Sequence, residues 1–260
     1  MRPATRIPEP LPPDLLGRLA AGPGLLLCFD YDGTLAEITP DLDNAWPLAG
    51  VRRELSRLLS HKHKISLAII TGRTLAEVKR LVGIDTGLFF SGVHGLELDR
   101  AGGREERFVS EALAAERELA VVRRWLSSNI ADGKGFRIED KRCAVGLHYR
   151  LANAAEAADA CARLERFVAS ATPQLKVVHL KMLAEVMPQA ATKARALFAF
   201  KAQVPSSYVT AYFGDDTTDE DAFEALAPPD IGILVGAERK TLAQFRVSGP
   251  AAVVRELRRL

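Results

Sequence analysis

The 260-residue sequence lacks the features that mark disulfide-rich, membrane-spanning or nucleic-acid-binding proteins. Its three cysteines, Cys28, Cys143 and Cys161, are an odd number and too widely spaced for a disulfide framework or a metal site. No apolar run approaches the roughly eighteen residues of a membrane span, and the proline-rich start has no continuous apolar signal segment. The formal net charge of +2 favours neither nucleic acid nor a lipid surface. We therefore expect a cytoplasmic monomer that binds neither nucleic acid nor membrane.

The remaining composition is that of an ordinary globular protein, with 48% hydrophobic and 26% charged residues. Short apolar runs alternate with segments of helical periodicity, an order typical of a parallel sheet covered on both faces. The runs that we predict to be strands of this sheet are 25–29, 65–70, 88–91, 208–213 and 231–235. The sequence therefore predicts an α/β core.

The middle of the chain breaks this alternation. Residues 110–131 predict one long amphipathic helix, and the runs FRIED and CAVGLHYR predict an antiparallel strand pair with one face in solvent. A further helix and two strands complete an α+β block. We therefore predict two domains, a core formed by residues 1–101 and 185–260 and an α+β insert at 102–184.

The first apolar run ends in DYDGT, which places Asp30 and Asp32 at the carboxyl end of a buried strand. Ligands bind at this edge of open α/β sheets. Two carboxylates this close repel unless one is protonated or a cation lies between them, and Mg²⁺ prefers a few carboxylates with water and phosphate oxygens. A polar turn or a calcium loop is the alternative, although Gly33 stands fourth where an EF-hand needs its glycine sixth.

Three other segments carry groups of the same kind. The acidic stretch FGDDTTDED at 213–221 closes another apolar run and offers a second source of carboxylates, or else a solvated helix cap. Thr71, Gly72 and Arg73 end one strand and open a helix whose N–H groups suit a phosphate oxygen. Lys193 lies just inside a later helix. Taken singly, the threonine segment is more often an N-cap and the lysine a solvated side chain.

The order of these four motifs, over about residues 24–250, resembles that of the haloacid dehalogenase superfamily. The resemblance implies a Rossmann-like core with an α+β cap inserted between the threonine and lysine motifs, and a magnesium-dependent phosphatase activity. It implies that Asp30 is the nucleophile that forms an aspartyl-phosphate and that Asp32 is the general acid and base. Thr71 and Lys193 would then hold the phosphoryl oxygens.

The same resemblance implies a magnesium site. Its ligands would be the Asp30 carboxylate, the Asp32 backbone carbonyl and Asp215, while Asp219 would act on a metal-bound water. This division leaves the Asp32 side chain available for proton transfer.

Three strings narrow the resemblance to the trehalose-6-phosphate phosphatase family: SGVHGLEL, IEDKRCAVGLHYR and GDDTTDEDAF. The resemblance implies that one group of residues on the insert and one on the core bind the sugar phosphate. These are Glu139, Lys141 and Arg150 on the insert, Glu185 where the cap glutamate of the family pattern falls, just past the predicted end of the insert, and Gly72, Arg73, His94 and Gly95 on the core. Cross-strand ion pairs on a wet sheet face are the alternative explanation for the charged residues of the insert.

Three positions depart from the family pattern: Met187 replaces an arginine, and Ala190 and Ala194 replace glycines. They leave the identity of the sugar phosphate open. We predict a magnesium-dependent hydrolase of trehalose 6-phosphate, with sucrose 6-phosphate or a glycosyl phosphoglycerate as alternative substrates. A non-catalytic sugar-phosphate sensor is disfavoured, because a sensor has no use for the general acid Asp32.

Overall fold

The computed structural model describes residues 5–39, 41–60, 64–101, 107–108, 110–130 and 133–260. The chain divides into two compact units, a core unit of Met1–Arg107 and Thr192–Leu260 and an inserted unit of Phe108–Ala191. The first boundary that we expected, at residue 102, falls in 102–106 and so lies outside the described residues. The second unit continues to Ala191 and therefore contains Glu185.

The described secondary structure is mixed α/β. The strands are β1 (Glu9–Pro10), β2 (Leu25–Phe29), β3 (Ile65–Ile70), β4 (Leu88–Gly92), β5 (Glu97–Asp99), β6 (Arg107–Phe108), β7 (Arg137–Asp140), β8 (Val145–His148), β9 (Leu175–Leu180), β10 (Leu183–Pro188), β11 (Val209–Gly214), β12 (Ile231–Val235) and β13 (Phe245–Val247). The helices are α1 (Leu15–Ala21), α2 (Val51–Leu59), α3 (Leu75–Val82), α4 (Ser110–Ala114), α5 (Glu116–Asn129), α6 (Ala154–Ala171), α7 (Lys193–Lys201), α8 (Glu220–Ala225) and α9 (Pro250–Arg259).

The core unit is built on a mainly parallel sheet of order β1-β13-β12-β11-β2-β3-β4-β5-β6. β2 lies between β11 and β3 and is parallel to both, and all five of its residues are buried. This position explains why LLLCF is a continuous apolar run. The α/β fold class and the predicted strands are confirmed. Because β2, β3 and β11 run the same way, the residues that follow them lie at one edge of the sheet.

The inserted unit contains a separate antiparallel sheet of order β7-β8-β10-β9. Alternate residues of its strands, among them Val145, Leu147, Ala184 and Val186, pack with the apolar residues of α5 and α6 in a second hydrophobic core. The predicted antiparallel strands are confirmed. The prediction of one long helix is wrong, because the chain turns at Ala115, with ψ near −7°, and buries its methyl group in this core.

The proline-rich start contains an edge strand that its sequence did not predict. β1 pairs in parallel with β13: the N–H of Glu9 donates to the Gln244 carbonyl at 3.0 Å and that of Leu11 to the Arg246 carbonyl at 2.9 Å. Pro10 has no N–H to donate, which a strand at a sheet edge tolerates. All three cysteines are buried and form no disulfide. No helix of the described part of the chain is long and apolar enough to cross a membrane.

Candidate active site

A buried ion cluster forms where β2 ends. The N–H of Asp30 donates to the Phe213 carbonyl of β11 at 2.8 Å, and the carboxylate lies 2.9 Å from the Lys193 ammonium. The same ammonium lies 2.7 Å from Asp219, and the lysine side chain is only 2% exposed. The structure therefore brings together, in the core unit, residues that lie far apart in the sequence.

The electrostatics of this cluster depend on burial. Burial, opposed by the Lys193 ammonium but reinforced by Asp219 and Asp215, raises the pKa of Asp30 well above its ordinary value. Burial alone would lower the pKa of Lys193, but the adjacent Asp219 and Asp30 carboxylates outweigh it and raise that pKa. Lys193 is thus held as a cation, and the pocket penalises any further negative charge that lacks a counter-ion.

Asp219 is held rigidly by three donors. Its Oδ1 accepts from Lys193 and, at 2.7 Å, from the Tyr212 hydroxyl, and its Oδ2 accepts from the Asp216 N–H at 2.9 Å. Gly214 permits this position, since a Cβ there would lie 2.2 Å from the Asp219 carboxyl carbon. Sequence reasoning missed Tyr212, whose only signal was that a buried tyrosine hydroxyl needs a polar partner.

Three carboxylates of the cluster fit a divalent cation. One oxygen from each of Asp30, Asp215 and Asp219 lies within 4.8 Å of the others. Gly33, with φ of +83°, lets Asp215 approach, because a Cβ at this position would lie 2.2 Å from Asp215 Oδ2. An all-oxygen carboxylate set suits a hard ion such as Mg²⁺ or Ca²⁺.

Asp32, the second aspartate of DYDGT, has a different cation partner. Arg73 binds both of its carboxylate oxygens, with Nε and one terminal nitrogen each at 2.7 Å. The guanidinium also lies over the Tyr31 ring, 5.4 Å from its centroid, and the Tyr31 hydroxyl donates to the Ala45 carbonyl at 2.7 Å. The Asp32 side chain is 34% exposed, whereas Asp30 is buried. Arg73, expected at the substrate, therefore contacts the predicted general acid in this structure.

Thr71 is fixed by its backbone at the end of β3. Its N–H donates to the Ser91 carbonyl of β4, and its carbonyl accepts from the His94 N–H, both at 3.0 Å. Its hydroxyl accepts from the Arg73 N–H at 3.2 Å, which is the geometry of a tight polar turn. The side chain is 1% exposed and lies at the same sheet edge as Asp30.

A strained turn at 93–95 packs against this segment. Val93 and His94 have φ values of 44° and 52°, a region that a β-branched residue such as valine rarely adopts. The missing side chain of Gly72 makes room for the His94 ring, since a Cβ there would lie 2.5 Å from Nε2. A Cβ at Gly95 would lie 2.5 Å from the carbonyl oxygen of Thr192, the N-cap of α7. The turn thus joins the Thr71 segment to the helix that carries Lys193.

Glu97 supports the same region and was not singled out from the sequence. Its carboxylate accepts from the Leu75 N–H at 2.5 Å and so caps the start of α3, which follows Thr71 and Arg73. The alanines at 190 and 194 have no positive φ, so these two positions do not need the glycines of the family pattern.

Polar side chains of the inserted unit form a second cluster on its sheet. The Lys141 ammonium lies 2.7 Å from Glu185 and 3.7 Å from Glu139, and the His148 ring nitrogen Nε2 lies 2.8 Å from Glu139. Glu185 is fully buried. Three of the four insert residues expected at the sugar are therefore together. Arg150 lies in the exposed turn after β8 and, among the described residues, makes no hydrogen bond or ion pair with this cluster.

Comparisons with known proteins give the family of the chain. A family model described as trehalose-phosphatase matches residues 28–251. A trehalose-phosphate phosphatase of Mycobacterium bovis is 31% identical over 255 residues, and the match covers 93% of this chain but 63% of that protein. The chain thus spans less than two thirds of the length of this relative.

Solved structures share the fold. The C-terminal domain of Candida albicans trehalose-6-phosphate phosphatase superposes with a TM-score of 0.81 at 22% identity, over 97% of both chains. An Aspergillus fumigatus trehalose-6-phosphate phosphatase superposes with a TM-score of 0.70 at 25% identity, over 97% of this chain and 98% of that one. By the family match over most of its length, the chain belongs to the trehalose-phosphatase family.

Proposed function

We propose that the chain is a magnesium-dependent phosphatase that hydrolyses trehalose 6-phosphate to trehalose and phosphate. The observation that carries this proposal is the buried Asp30 carboxylate, held by Lys193 beside Asp215 and Asp219 at the carboxyl edge of the sheet. An ion pair with only a structural role would need neither the Asp215 carboxylate nor Gly33, which lets Asp215 approach. The family match supplies the substrate class.

The covalent step is assigned to Asp30. A carboxylate oxygen of Asp30 bonds to phosphorus while the bond from phosphorus to the sugar oxygen breaks, and Asp32 gives that oxygen its proton. Water then attacks phosphorus, Asp32 takes the proton back, and the Asp30 oxygen leaves. Lys193 and Thr71 hold the phosphoryl oxygens and offset their charge.

The metal site is assigned to the carboxylates at the same edge. Asp30, Asp215 and the Asp32 backbone carbonyl would bind Mg²⁺ directly. Asp219, fixed beside Lys193, would act on a metal-bound water. The bound ion would neutralise part of the negative charge that a phosphate brings into this buried site.

The Asp32–Arg73 pair adds a condition to this mechanism. Arg73 occupies both carboxylate oxygens, so at least one of these hydrogen bonds must open before Asp32 can carry a proton. Asp32 is partly exposed, whereas the Arg73 side chain is only 8% exposed, so the guanidinium needs another acceptor when Asp32 moves away. We assign the substrate this role: its phosphate accepts from Arg73, and its sugar oxygen accepts the proton of Asp32.

The sugar is assigned to the polar face of the inserted unit. Sugar hydroxyls both donate and accept hydrogen bonds. Glu139 and Glu185 supply acceptors, and Lys141 supplies donors. Buried polar groups of this kind reject a ligand that lacks the matching hydroxyl. The same chemistry fits sucrose 6-phosphate or a glycosyl phosphoglycerate, which are therefore the alternative substrates. Arg150 remains a proposed contact to the sugar.

Phosphate release from a panel of sugar phosphates, with Mg²⁺ and with EDTA, tests the proposal. We expect release from trehalose 6-phosphate that requires the metal, and slower release from glucose 6-phosphate. No release from any substrate would contradict the enzyme assignment and favour a sensor. Equal rates on both substrates would contradict the disaccharide assignment. The monomeric state and cytoplasmic location stay predictions, to be checked by light scattering and cell fractionation.

A further inference from the structure

His148 belongs to the polar cluster of the inserted unit, although no sugar-binding role was assigned to it from the sequence. Its Nε2 lies 2.8 Å from Glu139 Oε2, and both side chains are mostly buried, at 18% and 16% exposure. The Lys141 ammonium approaches the same oxygen, at 3.7 Å. Both contacts are thus made by Oε2.

The strand register places this cluster on one face of the antiparallel sheet. Glu139 of β7 and Glu185 of β10 are both paired with Gly146 of the central strand β8. His148 is two residues further along β8 and so lies on the same face as Gly146. The opposite face carries Val145 and its apolar neighbours, which pack in the second core. Two carboxylates therefore flank a position that has no side chain.

Gly146 is not required by the backbone, because it is absent from the positive-φ glycines of the chain. A Cβ at this position would meet Leu183 Cδ1 at 2.9 Å and Glu139 Oε2 at 3.5 Å. The Leu183 contact is with the end of a flexible side chain, which can move. Glycine within a strand costs stability through its unfolded-state entropy. The chain accepts this cost at the one position that lies between the two carboxylates.

The charges explain why Glu139 needs a second donor. Lys141 lies 2.7 Å from Glu185 but 3.7 Å from Glu139, so its ammonium holds Glu139 less closely than Glu185. The hydrogen bond to His148 holds the remaining carboxylate and removes the rotamer freedom that a sugar would otherwise have to freeze.

We propose that His148 is a positioning residue for sugar binding: it holds Glu139 by Oε2 so that Oε1 accepts from a sugar hydroxyl above the space left by Gly146. This inference rests on the proposed function. The inference adds two residues to that function: His148, which holds the Glu139 carboxylate for the sugar, and Gly146, which leaves space for the sugar ring.

Steady-state kinetics of His148→Ala and His148→Gln test the inference. For His148→Ala we expect the KM for trehalose 6-phosphate to rise about tenfold, equivalent to about 1.4 kcal/mol, with kcat little changed. The KM and kcat for p-nitrophenyl phosphate, which has no sugar, should stay at wild-type values. His148→Gln should recover most of the loss, because its amide can donate to the same oxygen.

The matched control is His179→Ala, which removes another histidine–glutamate pair of this unit, His179 with Glu165. That pair is about half exposed, and its loss should leave the KM for the sugar phosphate unchanged. Gly146→Ala should raise the same KM without lowering the melting temperature, because only the end of the Leu183 side chain must move.

The outcomes separate the inference from the proposed function. An unchanged KM in His148→Ala, an equal loss with p-nitrophenyl phosphate, or an equal effect of His179→Ala would overturn the inference alone. Absence of turnover of trehalose 6-phosphate by the wild-type protein would overturn the proposed function and the inference with it.

Discussion

Replacing Lys193 by methionine tests the electrostatics of the active-site cluster. The change keeps an unbranched side chain but removes the ammonium 2.9 Å from Asp30 and 2.7 Å from Asp219. Removing one partner of a buried ion pair costs about 3–5 kcal/mol, because a charge is left without compensation. Protonating a carboxyl of ordinary pKa at pH 7 costs about 4 kcal/mol, so proton uptake limits the loss to a similar value. We therefore expect the free energy of unfolding to fall by about 3–4 kcal/mol at pH 7 in EDTA.

The pH dependence of this loss has a definite sign. In the variant the native state binds a proton at the carboxylates more readily than the unfolded state, so the destabilisation shrinks as the pH falls from 7 to 5. In the wild type the raised pKa of Lys193 contributes stability that is complete below the ordinary lysine pKa and is lost as the pH rises through the higher native value. Added Mg²⁺ should restore part of the stability of the variant, because a cation again offsets the carboxylates.

Urea unfolding followed by circular dichroism, in EDTA at pH 7 and pH 5, measures this loss. The matched control is Lys201→Met in the same helix, which removes an ion pair whose lysine is 31% exposed. Its partner Asp230 is buried but keeps the hydrogen bond from the Thr210 N–H, so we expect a smaller loss. If Lys193→Met loses no more stability than Lys201→Met, or loses the same amount at both pH values, the assignment of a buried, mutually dependent cluster is refuted.

Three further predictions follow from single contacts. Asp30→Asn should abolish phosphate release, and residual turnover would contradict the nucleophile assignment. The same change should leave the free energy of unfolding in EDTA equal or higher, because it removes a carboxylate whose charge is disfavoured by burial. Gly33→Ala should cost about 1–3 kcal/mol in urea unfolding and weaken calorimetric Mg²⁺ binding, because φ is +83° and the new Cβ would meet Asp215; wild-type binding would argue against that ligand. Burial alone would raise the pKa of Glu139, but the hydrogen bond from His148 and the charge of Lys141 outweigh it and lower that pKa. The carboxylate therefore contributes stability above its ordinary pKa of 4.5, and this stability is lost as the pH falls through the lower native pKa. Glu139→Gln should therefore flatten the fall of unfolding free energy between pH 6 and 3, and an unchanged slope would count against the pairing.

The core sheet could be predicted from the sequence because its strands are buried on both faces. β2, β3 and β12 have the bounds expected from their apolar runs, which turn residues close at each end. β1 was missed, since a two-residue edge strand in a proline-rich stretch has no periodicity to detect. The break at Ala115 was also missed, because alanine is a good helix former and its burial in the second core is a tertiary effect.

The candidate site was only partly readable in the same way. Asp30 and Asp215 follow apolar runs, so their place at the sheet edge followed from the pattern. The partner of Asp32 did not: Arg73 was expected at the substrate, and only the packing of the Thr71 segment beside DYDGT brings it to that carboxylate. His148 likewise has no local signal that would separate it from any other histidine at the end of a strand.

The α/β class, the inserted α+β segment and the set of charged residues at strand ends could all be read from the sequence, because each depends on a local pattern of apolar and polar residues. Which of these charges pair depends on the fold. Lys193 joins Asp30 to Asp219, Arg73 holds Asp32, and His148 holds Glu139. An ion pair forms where the fold removes a charged group from solvent and places a group of opposite charge beside it. Neither the burial of a residue nor its distance from residues elsewhere in the sequence can be read from the sequence.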